Sequence, residues 1–144
     1  MSDPAYTFRI AEWPADEAAI RHVRECVFIE EQQIPAELEW DEMDSQCIHV
    51  LAVVENRDAV GTARLEPTGK IGRVAVLKPL RRKGIGTVMV QRLVAEARHA
   101  GYAEVYLHAQ VDALHFYKKL GFSPEGAQFD EAGIPHRNMR LRSE

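Results

Sequence analysis

Residues 80–90 read LRRKGIGTVMV, three positive charges and two glycines followed by apolar residues at helical spacing. From Gly84 onward Ile85, Val88, Met89, Leu93, Val94 and Ala97 recur with a period near 3.6, which predicts one face of a helix. Gly101 is its natural stop. In front of the loop, KIGRVAVL (70–77) is rich in β-branched residues and reads as a strand; behind the helix, AEVYLHAQ (103–110) reads as another. A strand, a helical crossover and a second strand make the two strands parallel.

Working outward, AYTFRIAEW (5–13) reads as a first strand. It is followed by a helix with Asp16 as N-cap and Ile20, Val23 and Val27 on one face, fading near Gln33 ahead of Pro35. CIHVLAVVE (47–55), a turn at NRD (56–58), AVGTARLEP (59–67) and KIGRVAVL form three successive antiparallel strands. DALHFYKKLGF (112–122) reads as a short helix with Asp112 as N-cap and Gly121 as its stop. The tail suggests two further strands joined around DEAGIP (130–135). The fold class is mixed α/β: a mostly antiparallel sheet containing one parallel pair, flanked by helices, in one domain spanning residues 1–144.

Bulk properties bound the function. The chain has 144 residues, 46% hydrophobic and 28% charged, with a formal net charge of −4. That balance argues against general nucleic-acid binding. No apolar run approaches a membrane span, and the N-terminal sequence lacks a secretory pattern. Cys26 and Cys47 have no metal-ligand or redox spacing, so free buried thiols and a cytoplasmic setting are expected.

The basic cluster at Arg81, Arg82 and Lys83 therefore needs a local explanation. A helix N-terminus presents unpaired N–H groups and partial positive charge. Gly84 and Gly86 carry no side chain to obstruct a group approaching those amides, so the loop suits an anion such as a phosphate or pyrophosphate. The alternative is a tight strand-to-helix turn with solvated bases. A Walker A run is absent, and the dinucleotide fingerprint fails at Met89 and at the end of the following strand.

RRKGIG (81–86) resembles the Arg/Gln-x-x-Gly-x-Gly/Ala loop of the GCN5-related N-acetyltransferases, and ALHFYKKLGF (113–122) resembles that family's Ala-x-x-Phe-Tyr-x-x-x-Gly-Phe motif. The element order from Tyr6 to Leu141 matches the family fold. VFIEEQQIP, EWDEMD, LHAQ and GIPH are similar to a bacterial subgroup. The resemblance implies acetyl-coenzyme A as cosubstrate, no metal, and a primary amine of a small molecule or peptide as acceptor. A homodimer is compatible with such a domain. It further implies that the parallel strands splay to admit the thioester.

On this chain the resemblance implies that the amides of Arg82, Lys83, Gly84, Ile85, Gly86 and Thr87 hold the pyrophosphate, with Arg81 at the Arg/Gln position. Val74 and Val76 lie on the strand that pairs with the pantetheine arm. Gln110 stands where many relatives have Asn, and Arg82 where many have Gly. Tyr117 matches the general acid that protonates the departing thiolate; otherwise it is a core aromatic.

A base is also needed. An amine of pKa about 10.4 is neutral in roughly one molecule in 2,500 at pH 7, a deficit of about 4.6 kcal/mol. Glu66 and His108 are candidates, and His136 a third. The acidic run Glu37, Glu39, Asp41, Glu42 and Asp44 reads either as a solvated loop or as a wall attracting a cationic amine. A non-catalytic module that binds coenzyme A remains the alternative function.

Overall fold

The computed structural model describes residues 5–55 and 57–142. Among these residues seven strands form two sheets. β1 (Tyr6–Ile10), β2 (Ile48–Val54), β3 (Asp58–Leu65) and β4 (Ile71–Val76) pair antiparallel in that order; β5 (Glu104–Gln110), β7 (Ile134–Arg142) and β6 (Ser123–Glu131) form the second sheet. Asn56, within the NRD turn, lies outside the described residues.

β2 is buried on both faces, which explains its nearly continuous apolar sequence. Val50 and Ala52 join the core under α3 (Ile85–His99), while Leu51 and Val53 pack on Ile20 of α1 (Glu17–Arg24). α3 follows its expected period with one exchange: Val90 is buried and Val88 is 39% exposed. It ends as expected at Gly101, φ 86°. There the Gly101 N–H donates to the Arg98 carbonyl and the Tyr102 N–H to the Ala97 carbonyl, both at 3.0 Å. α4 (Leu114–Lys119) stops at Gly121 by the same pattern.

Two expected caps are not formed. Asp16 takes its hydrogen bonds from the Arg9 guanidinium at 2.7 and 2.9 Å and from the Glu12 N–H, so its oxygens are committed away from the helix. Asp112 falls within a 3-10 turn, Val111–Ala113, which moves the start of α4 to Leu114. Beyond Arg24 the first helix widens into a π-helical segment, Glu25–Glu31. A short helix α2 (Ala36–Glu39) follows.

β4 and β5 are the facing edges of the two sheets. They run parallel and meet at one bridge, Lys70 with Tyr106, where the Tyr106 N–H donates to the Gly69 carbonyl at 3.1 Å. Beyond it no ladder joins them, and a cleft of about 930 Å³ opens between the two edges. The expected splay is present.

Candidate active site

The cleft is lined by β4 from Ile71 to Val76, by Leu107, His108 and Gln110 of β5, by the 80–87 loop, and by Phe116 and Tyr117 of α4. β4 carries a bulge at its centre. Thr62 pairs with Ala75 and Arg64 with Gly72, so Arg73 and Val74 together face Ala63. Arg73 takes a left-handed φ of 52° to achieve this. Beyond the Lys70 bridge, the outer backbone edge of β4 around Val74 and Val76 is open to an extended ligand.

At the mouth, Gly84 adopts φ 82°, and a Cβ built on it meets nothing within 4 Å. The helical ladder begins when the Val88 N–H reaches the Gly84 carbonyl at 3.2 Å. The N–H groups of Ile85, Gly86 and Thr87 precede it. Arg82 and Lys83 are exposed, and Arg82 holds a left-handed φ of 65° at a position better suited to glycine.

Two loop residues have partners that the sequence did not reveal. The Arg81 guanidinium donates to both Glu31 oxygens at 2.6 Å and to the Val76 carbonyl at 2.9 Å, tying the loop to the π-helical segment and to β4. Its charge is thereby matched, and Glu31 sits below the usual carboxylate range because of that hydrogen bond. Gly86 leaves no open space: a Cβ there would lie 3.3 Å from Phe116 Cζ, so its bareness lets the α4 ring pack against the helix. Opposite the loop, Gln110 donates to the side chain of Gln32 at 2.9 Å, linking the end of β5 to the same segment.

Tyr117 is buried, with Phe116 edge-on at 4.9 Å and Phe122 at 6.0 Å. It belongs to the core and to the cleft wall at once. Burial pushes its phenol far above the ordinary value, so it keeps its proton at neutral pH.

The acidic run is neither a solvated loop nor a free cationic-substrate wall. Glu37 and Glu42 are exposed, but Glu39 and Asp44 are 2% and 4% exposed. The buried Arg24 guanidinium donates to Glu39 and Asp44, both at 2.7 Å. Arg64 donates to Asp44 at 2.8 Å and to both Asp41 oxygens at 2.9 and 2.8 Å. Arg73 adds ion pairs to Glu39 and Asp41. Burial raises the Asp44 carboxyl, and its arginine bonds more than offset that, leaving it below its ordinary value. Asp41 is lowered to about 2, chiefly by the Arg64 hydrogen bonds, against partial desolvation.

Glu66 is buried at the edge of this network, 3.6 Å from Arg64, rather than solvated at a strand end. The thiols of Cys26 and Cys47 are free but only half-buried. Burial raises Cys47 to about 11, which keeps it protonated and unreactive.

Sequence reading missed Arg24, Arg64, Arg73 and Glu131. Arg24 offered a signal: it falls on the same helical face as Ile20 and Val27, where a charge requires a buried partner. Glu131 follows from strand register. His108 pairs with Asn138, Gln110 with His136, and His136 with Phe129, which puts all of them on one sheet face with Glu131 two residues on.

The family model described as an acetyltransferase (GNAT) domain matches residues 16–143. The chain is 40% identical over 120 residues to YyaT of Bacillus subtilis, covering 79% of this chain and 80% of that one. It is 38% identical over 122 residues to the uncharacterized N-acetyltransferase YjcF of the same organism, covering 82% and 86%. A crystal structure of an acyl-CoA N-acyltransferase from Pseudomonas aeruginosa superimposes with a TM-score of 0.82 at 26% identity, covering 98% of this chain and 100% of that one.

Proposed function

The chain belongs to the GNAT acetyltransferase family, and from that premise we propose that it transfers the acetyl group of acetyl-coenzyme A to a primary amine of a small molecule or peptide by direct attack. The observation that carries this reading is the cleft itself: an open strand edge, an unencumbered helix N-terminus at its mouth and a buried phenol in its wall.

The open φ and missing side chain of Gly84 fit a pyrophosphate lying on the amides of residues 82–87. Arg82 and Lys83 add long-range charge there. Arg81, committed to Glu31 and Val76, shapes the loop. The outer edge of β4 at Val74 and Val76 receives the pantetheine amides, and Gln110 closes the far side through Gln32.

Tyr117 donates its proton to the sulfur as the C–S bond breaks. A thiolate whose conjugate acid has a pKa of about 8.5 accepts it readily. A backbone N–H of β4 around Val74–Val76 stabilises the oxyanion. The burial that keeps Tyr117 protonated also makes it an unsuitable acceptor for the amine's proton, so a separate base is required.

Thiol release from acetyl-coenzyme A across amines, polyamines, aminoglycosides and peptides tests this reading. One class should be turned over, and Tyr117→Phe should lose about 10²-fold or more in kcat with little change in cosubstrate affinity. A non-catalytic coenzyme A sensor would bind the cosubstrate and release no thiol with any amine.

A further inference from the structure

We infer that His108 is the general base and that Glu131 sets its tautomer and position; this assignment rests on the amine-acetylation reading above. His108 Nδ1 lies 2.9 Å from Glu131 Oε1 across the second sheet. A carboxylate only accepts, so Nδ1 carries the hydrogen and the neutral ring's lone pair is on Nε2. His108 lines the cleft with its side chain 28% exposed. It is a partly shielded imidazole beside the open slot, with its orienting nitrogen already occupied.

The other Glu131 oxygen has a second imidazole nearby, outside hydrogen-bond distance. Oε2 lies 3.7 Å from His136 Nε2, and His136 Nδ1 lies 2.6 Å from the Ile134 carbonyl, which fixes that ring in turn. Phe129 stands between the two histidines, edge-on to His108 at 5.1 Å and stacked on His136 at 6.0 Å. The turn beyond Glu131 is a tight two-residue hairpin, Ala132 at φ 53° and Gly133 at φ 77°, which anchors the end of β6. Histidine, carboxylate and support are thus held by three neighbouring strands. This is the base-and-orienter arrangement that acyl-transfer sites on unrelated folds also use.

The charged and titratable groups around His108 are Glu131 on β6, His136 on β7, Tyr106 on its own strand at 6.2 Å, and Lys70 at the β4 bridge. Burial raises the Glu131 carboxyl, but the His108 hydrogen bond and the charges of Lys70, His108 and His136 outweigh it and leave Glu131 below its ordinary value. It therefore stays ionised and accepting across the neutral range. Glu66, the other candidate, also lines the cleft, but its carboxylate lies 3.6 Å from the Arg64 guanidinium, an ion pair that taking up a proton would give up.

The proton bookkeeping closes. His108 Nε2 takes one proton from the substrate ammonium and passes it to solvent. The freed nitrogen lone pair forms the bond to the acyl carbon, the C–S electron pair leaves on sulfur, and Tyr117 protonates that sulfur. The second amine proton, lost as the amide forms, returns through His108 and water to the phenolate. Amide, thiol and one solvent proton result, and the protein ends as it began.

The test uses the whole chain, acetyl-coenzyme A and whichever amine the wild type acetylates. His108→Gln should lower kcat/KM by about 10²-fold and abolish the acid limb of its pH profile. Glu131→Gln should lower it by about 10-fold, and the double variant should be no worse than His108→Gln alone. Acetyl-coenzyme A affinity, read by calorimetry, should stay within about 3-fold of wild type, as expected for groups that do not touch the cosubstrate. Nitrogen-15 spectra of the wild-type histidines should show His108 as the Nδ1–H tautomer, with that preference lost in Glu131→Gln. An Nε2–H tautomer in the wild type, or a surviving acid limb in His108→Gln, overturns the base. Absence of thiol release with every amine instead overturns the acetylation reading and the base with it.

Discussion

The basic loop at 80–87 and the acidic run at 37–44 look alike in sequence, each a dense patch of one charge in a short stretch. In the folded chain they are opposites. The loop turns its backbone outward: Arg82 and Lys83 are exposed, and Gly84 leaves the first helical amides uncovered. The acidic run turns Glu39 and Asp44 inward, and these two, with the more exposed Asp41, are matched by Arg24, Arg64 and Arg73. Charge density alone does not mark a binding surface. What matters is whether opposite charges elsewhere in the chain have already claimed it.

The sharpest way to break this comparison is Arg64→Met. It removes one of the two guanidinium partners of Asp44 and the bidentate partner of Asp41. The expected cost is about 3–5 kcal/mol in urea unfolding, the usual range when a buried charge loses its partner. Lys83→Met in the loop should change stability by less than about 0.5 kcal/mol. Equal effects would mean that the acidic run is not a structural unit.

A smaller effect is expected at the mouth of the cleft. Gly84→Val forces a β-branched residue into φ 82°, straining the turn by about 1–2 kcal/mol. Calorimetry should show acetyl-coenzyme A binding weakened by about tenfold, roughly 1.4 kcal/mol.

Acid should then weaken the arginine-paired carboxylates. The folded Asp41 carboxyl is lowered from 3.8 to about 2, so its stabilising contribution is complete above about 4 and lost as pH falls through about 2. Thermal unfolding followed across that window should show the decline, and Asp41→Asn should flatten it. The smallest change is expected for Arg82→Gly, which relieves a left-handed backbone while removing one exposed charge. Cosubstrate affinity should fall by less than about 3-fold, with a shallower salt dependence.

Legibility in the sequence followed the same division. The loop, α3 and the Gly101 and Gly121 stops were readable because each depends on residues within a few positions of one another. The parallel pair and its crossover followed from chain order. The arginine network was not readable from the run itself, since Arg24 meets Glu39 across 15 residues, and Arg64 meets Asp41 across 23. The packing duty of Gly86 was hidden because its neighbour, Phe116, arrives from a different helix. Glu131 was hidden for a related reason: its partner sits 23 residues away and is found only through the β5–β7–β6 register.

The most direct measurement is an amide-resolved NMR titration with acetyl-coenzyme A. The account predicts that the largest downfield amide shifts fall on residues 82–87, with Glu39 and Asp44 nearly unmoved and the Arg64 side-chain signals unchanged. Shifts concentrated on the acidic run and absent from the loop would contradict it.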